Sequence, residues 1–242
     1  MHLRLSALAC ALLAACTTTD LGHIQATWAL ADIDATGQQT GATCPSGYDT
    51  AELHTAVSAG DGTLADPCIT LDSQCYVDVF DCAAGEGLSS PLPPGNYTTW
   101  IEITSHDGQQ VFATSQQQVV LIGTRDVAFE TTLLDNGGAF RFAWLLEGET
   151  SGQVLTCEQA GAATISASAT IGTQMLTSST PCTAPFGYSE GLPPGDYTLA
   201  VAAIDSGGQP LGTTAASQAG TIGAMPDQID DLGTLVVPVA GM

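Results

Sequence analysis

The chain has no lysine and only three arginines, Arg4, Arg125 and Arg141, against 25 acidic residues, so its formal charge at pH 7 is -22. Nucleic-acid binding rests on Lys and Arg neutralising phosphates, and that class of function is excluded. An anionic bilayer surface repels the chain as well. Histidine is nearly as scarce: His2, His23, His54 and His106 are the whole set. A serine hydrolase needs an imidazole within reach of its nucleophile, and no nucleophile-elbow motif accompanies these histidines. Carboxylates that could pair for glycoside hydrolysis are abundant, but no two are marked by their spacing. No stretch has a sustained helical period, and no apolar run is long enough to span a bilayer.

What is present is a duplication. Cys82 is followed eleven positions later by Pro93-Pro94-Gly95-Asn96-Tyr97, and one hundred positions on Cys182 is followed in the same way by Pro193-Pro194-Gly195-Asp196-Tyr197. Two copies of a unit of about a hundred residues predict two domains of one fold, each able to bury its own core. Both open on a tryptophan-bearing apolar stretch, Ile24 to Leu30 and Phe140 to Leu146.

Period-2 alternation and β-branched or aromatic content predict the remaining strands. In the first copy these are 51–57, 76–80, 97–104, 109–113, 118–121 and 127–134. The second copy has 163–170, 173–176, 197–204, 209–213 and 229–237, with a weak strand near Ala219. Pro94-Gly95 and Pro194-Gly195 are expected to form type II turns with glycine at positive φ. Along the strand that follows, Tyr97, Thr99, Ile101 and Ile103 share a face, as do Tyr197, Leu199, Val201 and Ala203, so these are expected core positions. Asp107-Gly108 and Gly207-Gly208 read as two-residue hairpin turns. The fold class is therefore all-β, two tandem antiparallel β-sandwich domains.

At the amino terminus, Met1-His2-Leu3-Arg4 precedes an apolar run that ends in Leu13-Ala14-Ala15-Cys16. The run suits an export signal. Its end resembles the lipobox of bacterial lipoproteins, which implies cleavage before Cys16 and acylation of that residue. Thr17 at the next position, by resemblance to enteric lipoproteins, fits sorting to the outer membrane. The expected organisation is a signal peptide over 1–15, a lipidated cysteine and tether over 16–23, a first sandwich over 24–134 and a second over 135–242. The polar tether 17–23 reaches at most about 25 Å. The partner expected on this reading is the membrane, through acyl chains on Cys16, which would anchor an otherwise repelled protein.

Of eight cysteines, Cys10 leaves with the signal and Cys16 carries lipid, so six remain outside the cytoplasm, where disulfides form. Cys157 and Cys182 stand alone in the second copy, and Cys44 and Cys82 occupy the equivalent places in the first. Cys68 and Cys75 then pair with each other. A zinc site in the first copy ranks below this, because no C-x-x-C spacing is present.

The Leu-Pro-Pro-Gly-x-Tyr segment, followed by an apolar strand and Asp-Gly or Gly-Gly, resembles the end of carboxypeptidase-regulatory-like and collagen-adhesin-type repeats of the immunoglobulin-like and prealbumin-like sandwiches. The whole layout, a lipobox followed by sandwiches with paired cysteines, resembles uncharacterised lipoproteins abundant in myxobacteria. Adhesin-type repeats often carry a Lys to Asn isopeptide bond, which a chain without lysine cannot form, and the disulfides take that place.

The step from Cys44 to Cys82 is 38 positions and that from Cys157 to Cys182 is 25, so the first copy carries thirteen extra residues, roughly 60–74. A stapled loop on a rigid sandwich is a candidate binding element, and its acids Asp61, Asp66 and Asp72 are the candidate site residues. Asp32-Ile33-Asp34-Ala35-Thr36-Gly37 imitates a calcium loop but has Thr43 where the twelfth-position Glu is needed, so these are expected to be solvated turn aspartates. Asp61, Asp66, Asp72, Asp78 and Asp81 in and beside the insert, and Asp227, Asp230 and Asp231 in the second copy, offer looser oxygen cages for calcium, but this composition produces such clusters by chance. No catalytic set, cofactor or metal site is read. The expected function is a non-catalytic envelope lipoprotein that binds an envelope protein or glycan or serves as a spacer. The alternatives are an enzyme or accessory domain for carbohydrate or peptide, and a calcium-dependent adhesin.

Overall fold

The long strands follow from apolar and polar alternation. In the first, the side chains of Ile24, Ala26, Trp28 and Leu30 are buried, and those between them turn to the other face. A computed structural model describes residues 21–58 and 75–240. The first half contains β1 (Ile24–Ile33), β2 (Gln39–Ala42), β3 (Thr50–Val57), β4 (Cys75–Asp81), β5 (Glu86–Leu88), β6 (Gly95–Thr104), β7 (Val111–Thr114), β8 (Gln118–Ile122) and β9 (Val127–Leu134). The second contains β10 (Gly138–Gly148), β11 (Val154–Leu155), β12 (Ala162–Ile171), β13 (Gln174–Pro181), β14 (Gly187–Tyr188), β15 (Gly195–Asp205), β16 (Pro210–Thr213), β17 (Gln218–Ile222) and β18 (Gln228–Val239).

The chain is all-β, and the two halves repeat one topology. One sheet centres on β1, with β2 and β5 along one edge and β9 on the other, and the opposite sheet runs β4-β3-β6 with β7 and β8 sharing the far edge of β6. In the second half β10, β11, β14 and β18 form the first sheet, and β13-β12-β15 with β16 and β17 form the second. Among the described residues, one ladder in each half of this antiparallel framework runs parallel, β1 with β9 and β10 with β18. The last strand reaches the first only after the chain has crossed through the opposite sheet, the long connection that parallel pairing requires.

The expected core face of the central strand is buried in both copies: Tyr97, Thr99, Ile101 and Ile103, and Tyr197, Leu199, Val201 and Ala203. Each half has its own apolar cluster, around Phe129 and Ile101 in one and around Phe140 and Val201 in the other. Corresponding hydrogen bonds recur: Ile24 N and Phe140 N donate to the hydroxyls of Ser89 and Ser189 at 2.8 and 3.0 Å. The short strands β2, β5, β11 and β14 have too few residues to show a period and were not expected. A four-residue helix α1 (Cys157–Ala160) was also not expected, although Thr156 and Gln159 form a reciprocal capping box that its sequence spells out.

Two turn expectations are corrected. Gly95 and Gly195 are not at positive φ but open β6 and β15. The tyrosine hydroxyls of Tyr97 and Tyr197 donate to the carbonyls of Pro93 and Pro193, both at 2.8 Å, and hold the segment extended. A Cβ at 195 would lie 2.5 Å from Ile171 Cδ1, the movable end of that side chain, and one at 95 would meet nothing closer than 3.5 Å. The hairpins at Gly108 and Gly208 do hold positive φ, of 66° and 80°. Their loops enclose residues 106–109 and 206–208, longer than the two-residue turns expected.

The linker between the halves is hydrogen-bonded along its length. Asn136 caps the end of β1, its Oδ1 accepting from Ile33 N at 2.7 Å and its Nδ2 donating to Ile33 O at 3.1 Å. Asp135 N donates to Ala31 O, Gly138 N to Leu192 O, and Asp227 N to Leu134 O. A small apolar cluster of Ala31, Ile33 and Leu134 sits at this junction.

Candidate functional site

A groove of about 620 Å³ opens at the junction of the halves. Its first wall comes from β8, β9 and the residues just before them, with Gln116, Gln118, Glu130 and Thr132. Its second wall comes from β13 and the segment around β14, with Ser179, Thr180 and Tyr188. Gln117 N donates to Tyr188 Oη across the junction at 3.1 Å, tying the walls together. Burial raises the Tyr188 phenol above its ordinary value, so this oxygen stays a neutral acceptor. Beneath it Arg141, 6% exposed, bonds Asp231 Oδ2 at 2.8 Å and lies 4.4 Å from the Phe186 ring centroid.

Asp227 also lines this groove. It is 8% exposed, has a left-handed φ of 39°, and its Oδ2 has no hydrogen-bond partner. Burial pushes its carboxyl up to about 8, against a small opposing contribution from the backbone at Leu134, so Asp227 is a neutral acid at pH 7. The groove is thus lined by amide and hydroxyl groups and the protonated Asp227, by the carboxylates of Glu130 and Glu190, and by apolar side chains such as Val119, Leu134 and Phe186.

A second cluster lies on the outward face of the β3–β6 pair. The ladder places Glu52 opposite Glu102 and His54 opposite Trp100. The imidazole stacks on the indole with ring centroids 5.0 Å apart and 10° between planes. His54 Nε2 lies 3.4 Å from Glu52 Oε2 and 3.4 Å from Glu102 Oε2. Burial by itself raises the Glu102 carboxyl, but the His54 imidazole and the Trp100 indole N–H outweigh it and hold it below the ordinary glutamate value.

The disulfides Cys44–Cys82 and Cys157–Cys182 are formed, with Cα atoms 6.2 and 5.9 Å apart. Cys75 is also disulfide-bonded. Its expected partner Cys68, the candidate loop acids Asp61, Asp66 and Asp72, and the expected lipidation residue Cys16 lie outside the described residues. Asp34 is a turn aspartate: its Oδ1 accepts from Thr36 N, Thr36 Oγ1 and Gln38 N, which together lower its carboxyl below the ordinary value. Asp78 accepts from Ser90 N and Oγ, and Asp81 caps the short helical turn at Cys82. Asp231 is the ion-pair partner of Arg141. His23 contacts Ser89 O, and His106 lies 3.3 Å from the exposed Asp49.

Sequence reasoning missed the Glu52, His54 and Glu102 cluster. The signal was there in part, as Glu-x-His and Trp-x-Glu-x-Thr on outward positions of two strands, but their register is not local information.

No family model matches the chain, and no curated protein matches it. Among solved structures the chain is similar to a leucine-rich repeat protein from Bacteroides thetaiotaomicron, at 13% identity and a TM-score of 0.41, with 91% of this chain and 27% of that one covered. It is also similar to the minor pilin GBS52 of Streptococcus agalactiae, at 13% identity and a TM-score of 0.31, over 88% of this chain and 95% of that one. The fimbrial anchor protein Mfa2 of Porphyromonas gingivalis is similar at 13% identity and a TM-score of 0.31, over 80% and 82% of the two chains. The chain thus spans 27% of the length of the first structure and most of the other two.

Proposed function

We propose that this chain is a non-catalytic binding module of the bacterial cell envelope, held at the outer membrane through acyl chains on Cys16, with the junction groove taking a neutral, hydroxyl-rich envelope glycan. The observation that carries the reading is the groove itself, about 620 Å³, where amide and hydroxyl groups lie beside apolar side chains and the only charged lining groups among the described residues are the anionic Glu130 and Glu190, on a chain of net charge -22. A field of that sign repels anionic ligands, while amide and hydroxyl groups suit the edges of sugars. The disulfides support export to an oxidising compartment.

Calorimetric titration with neutral and anionic envelope oligosaccharides tests the groove. Gln39 also lines the groove, and binding of a neutral glycan is expected to weaken at least about tenfold in the Gln39→Ala, Gln116→Ala double variant with the melting temperature unchanged. Binding that ignores the double variant, or no binding of any neutral glycan, overturns the glycan reading. Labelling cells with a fatty acid tests the anchor: the parent chain is expected to take up label and Cys16→Ser to lose it, and an unlabelled parent would sink the lipoprotein reading.

A further inference from the structure

Like charges placed directly opposite on adjacent strands destabilise a sheet, yet Glu52 and Glu102 face each other across β3 and β6. On the β4 side the outward neighbours of His54 and Glu52 are Val77 and Val79, which bring no compensating charge. Each carboxylate is held by its outer oxygen. Thr104 Oγ1 donates to Glu52 Oε1 and Trp100 Nε1 donates to Glu102 Oε1, both at 3.0 Å. Those two donors leave both Oε2 atoms turned to His54 Nε2. The imidazole side chain is 12% exposed, its ring plane is fixed against Trp100, and both its nitrogens are shielded from solvent without a hydrogen-bond partner.

The 3.4 Å separations carry the argument. They exceed the roughly 2.7 to 3.2 Å of an N–H···O hydrogen bond. They match the edge of a tetrahedron whose arms are about 2.0 to 2.1 Å long, the length of zinc bonds to imidazole nitrogen and carboxylate oxygen. Donor atoms of the three residues lie within 4.8 Å of one another, so closing on a common centre would take a rotation of the carboxylates about their broad terminal torsions.

We propose that Glu52 Oε2, His54 Nε2 and Glu102 Oε2 form a three-ligand site for a divalent transition metal, zinc by preference, with Trp100 and Thr104 as the outer donors that orient the carboxylates. One imidazole and two carboxylates is a donor set zinc accepts with its fourth corner open to water or an incoming donor. Calcium is disfavoured, because it requires six to eight oxygen ligands and takes no imidazole here. The metal would bridge β3 and β6, the paired middle strands of their sheet, and would neutralise the opposed glutamates. It lies on a different surface from the junction groove, so it goes beyond the glycan reading and stands independently of it.

The test uses the full chain, purified without a histidine tag, stripped of metal and titrated with zinc chloride in excess calcium, which occupies surface carboxylates without satisfying this site. One saturable equivalent of zinc is expected, together with the intense visible absorption of tetrahedral cobalt when cobalt chloride replaces zinc. Glu52→Gln and Glu102→Gln, which preserve side-chain shape, are each expected to weaken binding at least about tenfold, and Trp100→Phe by about 10- to 100-fold through the lost outer donor. Near-ultraviolet circular dichroism verifies that each variant is folded. Absence of a saturable equivalent overturns the site, as does unchanged affinity in the folded Glu102→Gln variant. A melting temperature that responds to acidification but not to zinc also overturns it, assigning the carboxylates to a protonated imidazolium instead.

Discussion

The indole N–H of Trp28 donates to the carbonyl oxygen of Cys82 at 2.9 Å, joining the first strand of one sheet to the disulfide-bearing end of the other. Trp144 makes the same bond to Cys182 at 3.3 Å and is less deeply buried. Trp28→Phe leaves the Cys82 carbonyl without its donor and is expected to lower stability by about 1 to 3 kcal/mol in urea unfolding. Trp144→Phe, with a longer bond and a wetter surrounding, is expected to have the smaller effect. A larger loss from Trp144→Phe would show that the two tryptophans are not equivalent struts.

Tyr97 and Tyr197 lock the entry to their strands through the Pro93 and Pro193 carbonyls. Tyr→Phe at either position keeps the ring in the core and removes one bond, with an expected loss of about 1 to 2 kcal/mol. If the two halves unfold independently, differential scanning calorimetry of Tyr197→Phe would lower one transition and leave the other in place.

The disulfides close spans of 38 and 25 residues. Loop-closure entropy depends only weakly on length, so Cys44→Ala with Cys82→Ala and Cys157→Ala with Cys182→Ala are each expected to cost about 3.5 to 4 kcal/mol. Urea midpoints of the two double variants would test this, and losses differing several-fold would point to strain or residual structure in place of chain entropy.

Asp227 should make the protein less stable as pH rises. The folded state keeps this proton to about pH 8, while the ordinary aspartate value is 3.8, so between these limits the folded state binds more protons than the unfolded chain. The contribution is fully present below pH 4, falls through the interval and is lost above pH 8. Asp227→Asn retains a residue that tolerates left-handed φ and carries no ionisable proton. It is expected to remove this slope and to raise stability at pH 8 by on the order of a few kcal/mol. Equal pH profiles for the variant and the parent would show that Asp227 ionises normally.

Much of this architecture was legible because it is written locally. The hundred-residue spacing from Cys82 to Cys182 carried the duplication, and the Cys44 and Cys157 equivalence carried two disulfides that the structure contains. Period-2 alternation placed Ile101 and Val201 in the core, because successive side chains must point to opposite faces of a strand. The Pro-Gly turns were misread because a glycine can supply either a positive φ or room for a neighbour. At Gly95 and Gly195 the backbone is extended instead.

What tertiary structure alone decided is what depends on partners distant in the chain. The parallel return of β9 to β1 brings together strands separated by nearly the whole first half of the chain, and no local period records it. Glu52 and Glu102, fifty positions apart, become opposed only once the β3–β6 register is set, and that register follows from burying Leu53 and Ile101 on the inner face. In the sequence Asp227 read as a member of an acid cluster of a kind this composition produces by chance. It becomes a neutral buried group because the second half of the chain folds against the end of the first, and ionisation responds to the dielectric that surrounds a side chain, which composition does not encode.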